Sequence, residues 1–188
     1  MTISSREKRG AYLEAANAEL KRISDLGAWI EGAAGSPILL VKGSPDADEL
    51  AGGALLGGAD GRALRAALLK LGYAPEDFCA LASVARPGSG GEGPLPDEVF
   101  REAVEALDPE AVLLLDDAAA VSMREAYADA LVAIEQFEVA MLEPGLVAPV
   151  LGRRVLALGG FEAALSDPAA KQRMWAYLKQ LPPAGAPY

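Results

Sequence analysis

Short apolar runs alternate along this chain with stretches in which apolar residues recur at helical spacing. The apolar runs predict buried strands at residues 37–41, 77–84, 112–115 and 154–158. The helical spacing, with capping signals at several ends, predicts helices at residues 4–26, 62–72, 96–107, 118–133 and 168–181. Because strands and helices alternate, we expect an α/β fold whose mainly parallel, four-stranded sheet is covered by helices on both faces.

The length and the breaks in the pattern predict one domain over residues 1–188. It consists of an N-terminal helix at about 4–26, an α/β core at about 37–181 and a short Pro-rich tail at 182–188. Gly27 interrupts the first helix, and Trp29 and Ile30 are expected to continue its apolar face. Residues 43–61 and 86–96 are predicted loops, and the pattern over 136–151 is ambiguous.

Ligands of open parallel sheets lie beyond the carboxyl ends of the strands. Four stretches follow the predicted strands, at residues 42–49, 84–94, 116–118 and 159–162. A functional site is therefore expected where these four stretches meet.

The composition excludes several kinds of site. The chain has no histidine and one cysteine, so Ser-His-Asp and Cys-His centres, internal disulfides and thiolate-bound zinc or iron–sulfur sites are impossible. Cys79 lies within a predicted strand, and we interpret it as a small buried hydrophobe. We expect neither a metal nor another cofactor.

The acidic side chains are concentrated in the central third of the chain. Residues 92–143 contain 14 acids and two bases, and the whole chain has a net charge of −10. This balance disfavours nucleic acid as a partner, since such binding depends on Lys and Arg neutralising phosphates. The acidic segment is interpreted as a solvated surface. Two alternatives are that it recruits a basic protein or that it mimics the charge of nucleic acid.

Two further features concern localisation. No apolar run approaches the ~20 residues of a membrane span, and the N-terminus is charged where a signal peptide would be apolar. We therefore expect a cytoplasmic protein that makes no membrane contact.

The fragments at the strand ends, read in order, resemble the uracil-DNA glycosylase superfamily. The resemblance spans about residues 37–181 and is closest to the bacterial and archaeal iron–sulfur branch. Its most specific parts are the stretch from Arg86-Pro87 to Leu115 and the final segment from Arg153 to Leu181. The resemblance implies a three-layer α/β/α sandwich on a four-stranded parallel sheet. It also implies cleavage of the bond between uracil and its sugar after the base is flipped out of the duplex.

Compared with that family, the positions for catalysis, base recognition and cluster binding carry different residue types, whereas the positions that build the fold are similar. The catalytic acid of the first motif falls on Gly43, and the Phe that stacks on the base falls on Leu56. The Asn that reads the base falls on Leu81, and a cluster-ligating Cys falls on Ala85. The His that supports the departing base falls on Gly160.

Three hypotheses follow. The first is a uracil-DNA glycosylase-like protein with degenerate active-site motifs that does not excise uracil and acts as a binding or interaction module. Its candidate ligand-contacting residues are Lys42, Ser44, Pro45, Asp46, Leu56, Arg86 and Phe161.

The second hypothesis is an enzyme with remodelled, carboxylate-based chemistry on a nucleobase, nucleotide or DNA substrate. Its candidate groups are Asp46, Asp48, Glu49, Asp116, Asp117 and Glu162. Asp46 would be the base, with Glu162 as a further fallback, and Lys42 or Arg86 would pair with an anion. The competing interpretation is that Asp48 and Glu49 are solvated or capping, and that Asp116, Asp117 and Glu162 cap helices. The third hypothesis, a phosphate loop at Gly52-Gly53 and Gly57-Gly58, lacks the spacing of known phosphate loops.

Overall fold

The computed structural model describes residues 5–184, in which helices cover both faces of a mixed six-stranded sheet. The strands are β1 (Trp29–Glu31), β2 (Ile38–Lys42), β3 (Phe78–Ala82), β4 (Ala111–Leu114), β5 (Val147–Val150) and β6 (Arg153–Ala157). The helices are α1 (Ser5–Asp25), α2 (Ala47–Leu50), α3 (Ala59–Lys70), α4 (Asp97–Leu107), α5 (Asp117–Ala126), α6 (Ala128–Leu131), α7 (Phe137–Ala140), α8 (Phe161–Ala164) and α9 (Pro168–Leu178). The predicted α/β fold is confirmed. The first residue of the predicted helix at 4–26 and residues 185–188 of the predicted tail lie outside the described part.

The sheet has six strands where the sequence pattern predicts four. Its centre is parallel, in the order β3-β2-β4-β6, and corresponds to the four predicted strands. The edge strands β1 and β5 are antiparallel to β3 and β6. Strand β1 was not predicted, because three residues are too few to show the alternation of apolar and polar side chains. Trp29 and Ile30 belong to this strand, so the expectation that they continue the apolar face of the first helix was wrong.

Strand β5 lies in the segment whose pattern is ambiguous. It contains Pro149, which cannot donate to a ladder and is therefore typical of an edge strand. Leu151 and Gly152 join β5 to β6, and both have positive φ, of 48° and 84°. Positive φ at both central residues is the geometry of the two-residue turn that suits antiparallel strands.

Alternate strand residues face opposite sides of the sheet and divide the core into two layers. Leu39 and Val41 of β2 pack in the layer that contains α1, α4 and α5. Ile38 and Leu40 pack in the layer that contains α3, α8 and α9. Burial of one such side chain contributes about 1.5–3 kcal/mol. The two layers therefore hold β2 at the centre of the molecule, and its carboxyl end is positioned by the whole core.

The longer helices begin and end close to the residues at which the capping signals in the sequence predict their ends. Pro96 and the acids Asp97 and Glu98 open α4, and Asp108, in the left-handed region at φ 49°, ends it. The Asp167 carboxylate caps α9 by accepting from the backbone N–H groups of Ala169 and Ala170. The helix predicted at 62–72 begins three residues earlier, at Ala59, and is followed by Gly72 at φ 100°.

The helix predicted at 118–133 is divided into α5 and α6. The division lies at Tyr127, whose backbone leaves the helical region at φ −119° and ψ 23°. The Tyr127 side chain is fully buried, and its hydroxyl donates to Glu105 at 2.9 Å. The single-turn helices α2, α7 and α8 were not predicted, because four residues are too few to show a helical period. No helix within residues 5–184 has the combined length and apolarity that crossing a membrane requires.

The one cysteine is confirmed as a buried core residue. Cys79 is 2% exposed, and its thiol donates to the backbone carbonyl of Ile38. Burial raises the pKa of the thiol to about 12.

Because the thiolate is the reactive form, we expect the native protein at pH 8 to react with Ellman's reagent roughly a hundredfold or more slowly than the unfolded chain. Rapid, complete labelling of the native protein would contradict this burial, and labelling in guanidinium chloride is the control.

Candidate functional site at the strand ends

The carboxyl ends of β2, β4 and β6 meet at one edge of the sheet and enclose a cavity of about 490 Å³. Parallel strands bring their carboxyl ends to the same edge, which is why residues far apart in sequence become neighbours here. The cavity is lined by Lys42, Ser44, Asp60, Leu115, Asp116, Gly160, Phe161, Glu162, Ala163 and Ser166.

Lys42, the last residue of β2, is a buried cation beside this cavity. Its side chain is 3% exposed, and its ammonium group lies 2.7 Å from Asp60 Oδ2 and 2.8 Å from Glu49 Oε2. Both carboxylates are buried as well, since the side chain of Glu49 is 2% exposed and that of Asp60 is 4% exposed. Asp46 and Glu162 are more distant from the ammonium, at 3.8 and 4.0 Å. Lys42, Glu49 and Asp60 form what we call the buried trio.

Backbone N–H groups hold the two carboxylates of the buried trio in place. Glu49 accepts from the backbone N–H of Asp46 and from that of Leu56, each at 2.6 Å. Asp60 accepts from the backbone N–H of Gly61 at 2.7 Å, in the first turn of α3 where the helix dipole favours negative charge. The trio carries one negative charge in excess, and these donors compensate for it.

Two opposing effects act on the pKa of Lys42. Burial lowers the pKa, because the charged form loses water, and the hydrogen bonds to Asp60 and Glu49 raise it. The partners prevail, so the pKa lies above its ordinary value of 10.5. Lys42 is therefore charged throughout the physiological range and is not available as a general base.

Asp116 connects β4 to β2 through the backbone. Its carboxylate accepts from the N–H groups of Gly43 and Ser44 and also caps α5 by accepting from Ala119 N–H. The capping interpretation of Asp116 is confirmed. Asp117 is the first residue of α5 and is exposed to solvent.

Gly43 is enclosed by the N-terminal end of α5. A Cβ atom at this position would lie 2.4 Å from the backbone nitrogen of Ala119 and 2.6 Å from the Cβ of Ala118. Both distances are shorter than real Cβ contacts, and the first involves backbone that cannot rotate away. No side chain, and hence no carboxylate, can be placed at position 43 unless α5 moves.

The structure separates the residues that the family resemblance assigns to a ligand. Lys42, Ser44 and Phe161 line the strand-end cavity, whereas Pro45 lines another cavity, together with several residues of the loop after β3. Asp46 is half-buried and caps α2 through Glu49 N–H. Leu56 lies fully buried in the core, and Arg86 lies exposed in the loop after β3.

The residues aligned with the family's base-reading, stacking and base-supporting positions also do not converge. Leu56 packs in one core layer and Leu81 in the other, on opposite faces of the sheet. Gly160 borders the cavity and has space for a side chain, but its φ of 102° is one that L side chains rarely adopt. Glu162 lies at the cavity rim, with a side chain that is 61% exposed.

Sequence reasoning missed the partners of Lys42. Glu49 was interpreted as solvated or capping: the solvated interpretation was wrong, because Glu49 is 1% exposed, and the capping box with Asp46 is present. Asp48, in contrast, is exposed. A signal was available, because a lysine that directly follows four buried apolar residues needs a partner, and Asp46 and Glu49 have capping-box spacing.

The comparisons with known proteins assign no family. No family model matches the chain, and no curated protein is significantly similar to it in sequence. Within residues 5–184, no group of three carboxylate or thiol side chains is arranged so that it could hold a metal ion. A functional interpretation therefore depends on the geometry of the strand ends.

Removal of the Lys42 charge should destabilise the fold strongly. In Lys42→Met, Glu49 and Asp60 keep buried charges without a cation, and loss of one partner from a buried pair costs about 3–5 kcal/mol. We expect a loss of this size in the free energy of unfolding by guanidinium chloride at pH 7.

The same free energy should depend on pH through Lys42. Because folding raises the pKa of Lys42 above 10.5, the stability that the buried trio contributes should be fully present below pH 10.5 and should be lost only as the pH rises above that value.

Two further variants identify the cause of that loss. The triple variant Lys42→Met, Glu49→Gln, Asp60→Asn should recover part of the stability, because it removes the unpaired charges. Lys21→Met, at an exposed position of α1, should change stability by less than about 0.5 kcal/mol. A Lys42→Met protein as stable as the unmodified chain would contradict the importance of the buried trio.

Proposed function

We propose that this protein is a glycosylase-like binding or interaction module that does not cleave glycosidic bonds. The observation that carries the proposal is the enclosure of Gly43, the position that the resemblance aligns with the catalytic acid. A Cβ atom there would overlap the backbone of α5. Position 43 therefore lacks the acid, and it also lacks the space for an acidic side chain.

The arrangement of the other aligned positions supports the same conclusion. An excised base must be stacked, read at its edge and supported as it leaves with negative charge. Leu56 and Leu81 are buried in separate layers, and Gly160 offers no donor side chain. None of the three steps has a residue to perform it.

The electrostatics of the strand-end cavity disfavour DNA as a ligand. Asp60, Asp116 and Glu162 contribute carboxylates to the lining, and Lys42 is the one cation among the lining residues. Because Lys42 is already held by Glu49 and Asp60, it is poorly placed to neutralise a phosphate. The proposed partners are therefore not nucleic acids.

The central acidic segment supports binding to a basic protein. Its fourteen carboxylates lie in the loop before α4, on α4–α7 and in the adjoining turns, and every one except the half-buried Asp116 is exposed. Arg101 and Arg124 are the two bases in this segment. Arg101 is paired with Asp129 at 2.7 Å, and Arg124 donates to the carbonyl of Met141. Two bases from outside the segment also reach it, since Arg22 pairs with Glu102, and Arg153 pairs with Glu105 and Asp108. The remaining exposed carboxylates still give this surface an excess of negative charge.

The second candidate function is a remodelled hydrolase that acts on a nucleobase, nucleotide or DNA substrate. It is favoured by one observation, that the strand-end cavity is open rather than filled by side chains. Asp46 and Glu162 would be its acid–base groups. Glu162 lines the cavity, Asp46 lies 3.8 Å from the ammonium of Lys42, and neither is engaged at short distance with that lysine. This candidate requires turnover, which a binding module does not show.

A base-release assay separates the two functions. We expect no release of uracil, hypoxanthine or xanthine from DNA, and no release of base from uridine, inosine or their nucleotides, at any enzyme concentration that gives full conversion with an active uracil-DNA glycosylase. Release from DNA would overturn the proposed module. Release from nucleosides or nucleotides that is abolished in Asp46→Asn or Glu162→Gln would establish the second candidate instead.

The acidic surface should bind basic peptides in a salt-dependent manner. We expect a fluorescein-labelled, arginine-rich peptide to bind at low ionic strength and to dissociate as salt screens the exposed charges. Charge removal on α4, in Glu98→Gln, Glu102→Gln, should weaken this binding by about threefold to tenfold. As matched controls, Glu7→Gln, Glu14→Gln on α1 should have a smaller effect. Binding that is insensitive to salt would contradict an electrostatic surface.

A further inference from the structure

An apolar groove separates α3 from α9 on the face opposite α4 and α5. It encloses about 460 Å³, and eight of its ten lining residues are apolar. The lining residues are Ala63, Ala66, Ala67, Lys70, Phe161, Leu165, Lys171, Met174, Trp175 and Leu178. Because Trp175 is only partly buried, the groove has an aromatic wall that a ligand can reach.

The lining residues have the same spacing on both helices. On α3 they lie at 63, 66, 67 and 70, and on α9 at 171, 174, 175 and 178. This is the i, i+3, i+4, i+7 pattern, which places four side chains in a stripe along one helix face. Two such stripes facing one groove form a surface that is complementary to the apolar stripe of a third helix.

The two helices run in the same direction, so the lysines lie toward opposite ends of the groove. The hydroxyl of Tyr73, just after α3, donates to the carbonyl of Leu181, just after α9, which brings the C-terminal ends of the helices together. Lys70 is the last residue of α3, whereas Lys171 lies in the first turn of α9. The groove therefore has a cation toward each end.

Neither lysine is neutralised by the described part of the protein. Within residues 5–184, Lys70 and Lys171 form no ion pair and no side-chain hydrogen bond, and no carboxylate is among the groove-lining residues. In a chain of net charge −10, two unpaired cations beside an apolar surface favour an anionic, amphipathic partner.

We propose that this groove binds an amphipathic helix of a partner protein that carries carboxylates at both ends of its apolar stripe. The two exposed lysines favour a helix over a fatty acid, because a fatty acid has one carboxylate and can pair with only one of them, whereas a helix can carry a carboxylate for each. Nucleic acid is disfavoured because the groove offers apolar side chains where phosphates and sugars need polar ones. The proposal goes beyond the proposed function, since the groove is separate from the strand-end cavity except for Phe161, which borders both.

A synthetic helix tests the proposal directly. The probe is a fluorescein-labelled peptide with leucines at positions i, i+3, i+4 and i+7, a glutamate at each end of that stripe, and alanine and glutamine elsewhere. Fluorescence anisotropy with the full chain should show saturable binding. A peptide of the same composition in scrambled order, and one with lysines in place of the glutamates, should each bind at least about tenfold more weakly.

Variants of the chain locate the binding in the groove. Lys70→Gln, Lys171→Gln should weaken binding by about threefold to tenfold, whereas the control pair Lys21→Gln, Lys179→Gln, which lies outside the groove, should leave it unchanged. Ala66→Glu places a carboxylate within the groove at an exposed helix position and should weaken binding at least about tenfold without loss of folding.

Several results would overturn the proposal. They are equal binding of the scrambled or lysine peptide, and binding that the groove variants do not change. Displacement of the probe by equimolar dodecanoate would assign the groove to a single-headed amphiphile. Self-association of the unmodified chain that is abolished by Ala66→Glu would assign the groove to a second copy. Each of these outcomes is independent of the base-release assay, so failure of the groove proposal and failure of the proposed function can be distinguished.

Discussion

The ion pairing of Lys42 with Glu49 and Asp60 is the interaction on which the carboxyl edge of this sheet depends. Lys42 ends the central strand, Glu49 lies in the short helix α2, and Asp60 lies in the first turn of α3. Through the two carboxylates, the lysine joins three consecutive elements that have no strand pairing with one another. Glu49 also accepts from the backbone N–H of Leu56, which attaches the segment between α2 and α3 to α2 shortly before α3 begins.

A second carboxylate, that of Asp116, connects the same edge of the sheet to α5. Asp116 binds the two residues that follow Lys42 and caps α5 with the same carboxylate. The N-terminal turn of α5 is thereby drawn against Gly43. Among the carboxylates proposed as catalytic groups, Asp46, Glu49 and Asp116 accept from backbone N–H groups, and Glu49 also binds the ammonium of Lys42. The other three, Asp48, Asp117 and Glu162, are exposed.

Local patterns were sufficient to predict the central strands, most of the longer helices and the capping role of Asp116. These features follow from periodicity and from capping signals within a few residues of each other, which are visible in one sequence. The edge strands, the division at Tyr127 and the partners of Lys42 depend on contacts between residues that are distant along the chain. Glu49 is the clearest case, because its capping role was local and predictable while its ion pair required the position of β2. Likewise, the resemblance aligned an acid with Gly43, but only the approach of α5 shows that no larger residue fits at this position.

The buried trio also affects how the molecule responds to heat. The hydration of charged groups becomes less favourable as temperature rises, so the cost of keeping Lys42, Glu49 and Asp60 away from water decreases. Burial of apolar side chains, which holds the two core layers, gains little over the same range. The junction of β2, α2 and α3 should therefore lose less of its stability on warming than the surrounding core, and thermal unfolding is expected to begin elsewhere in the chain.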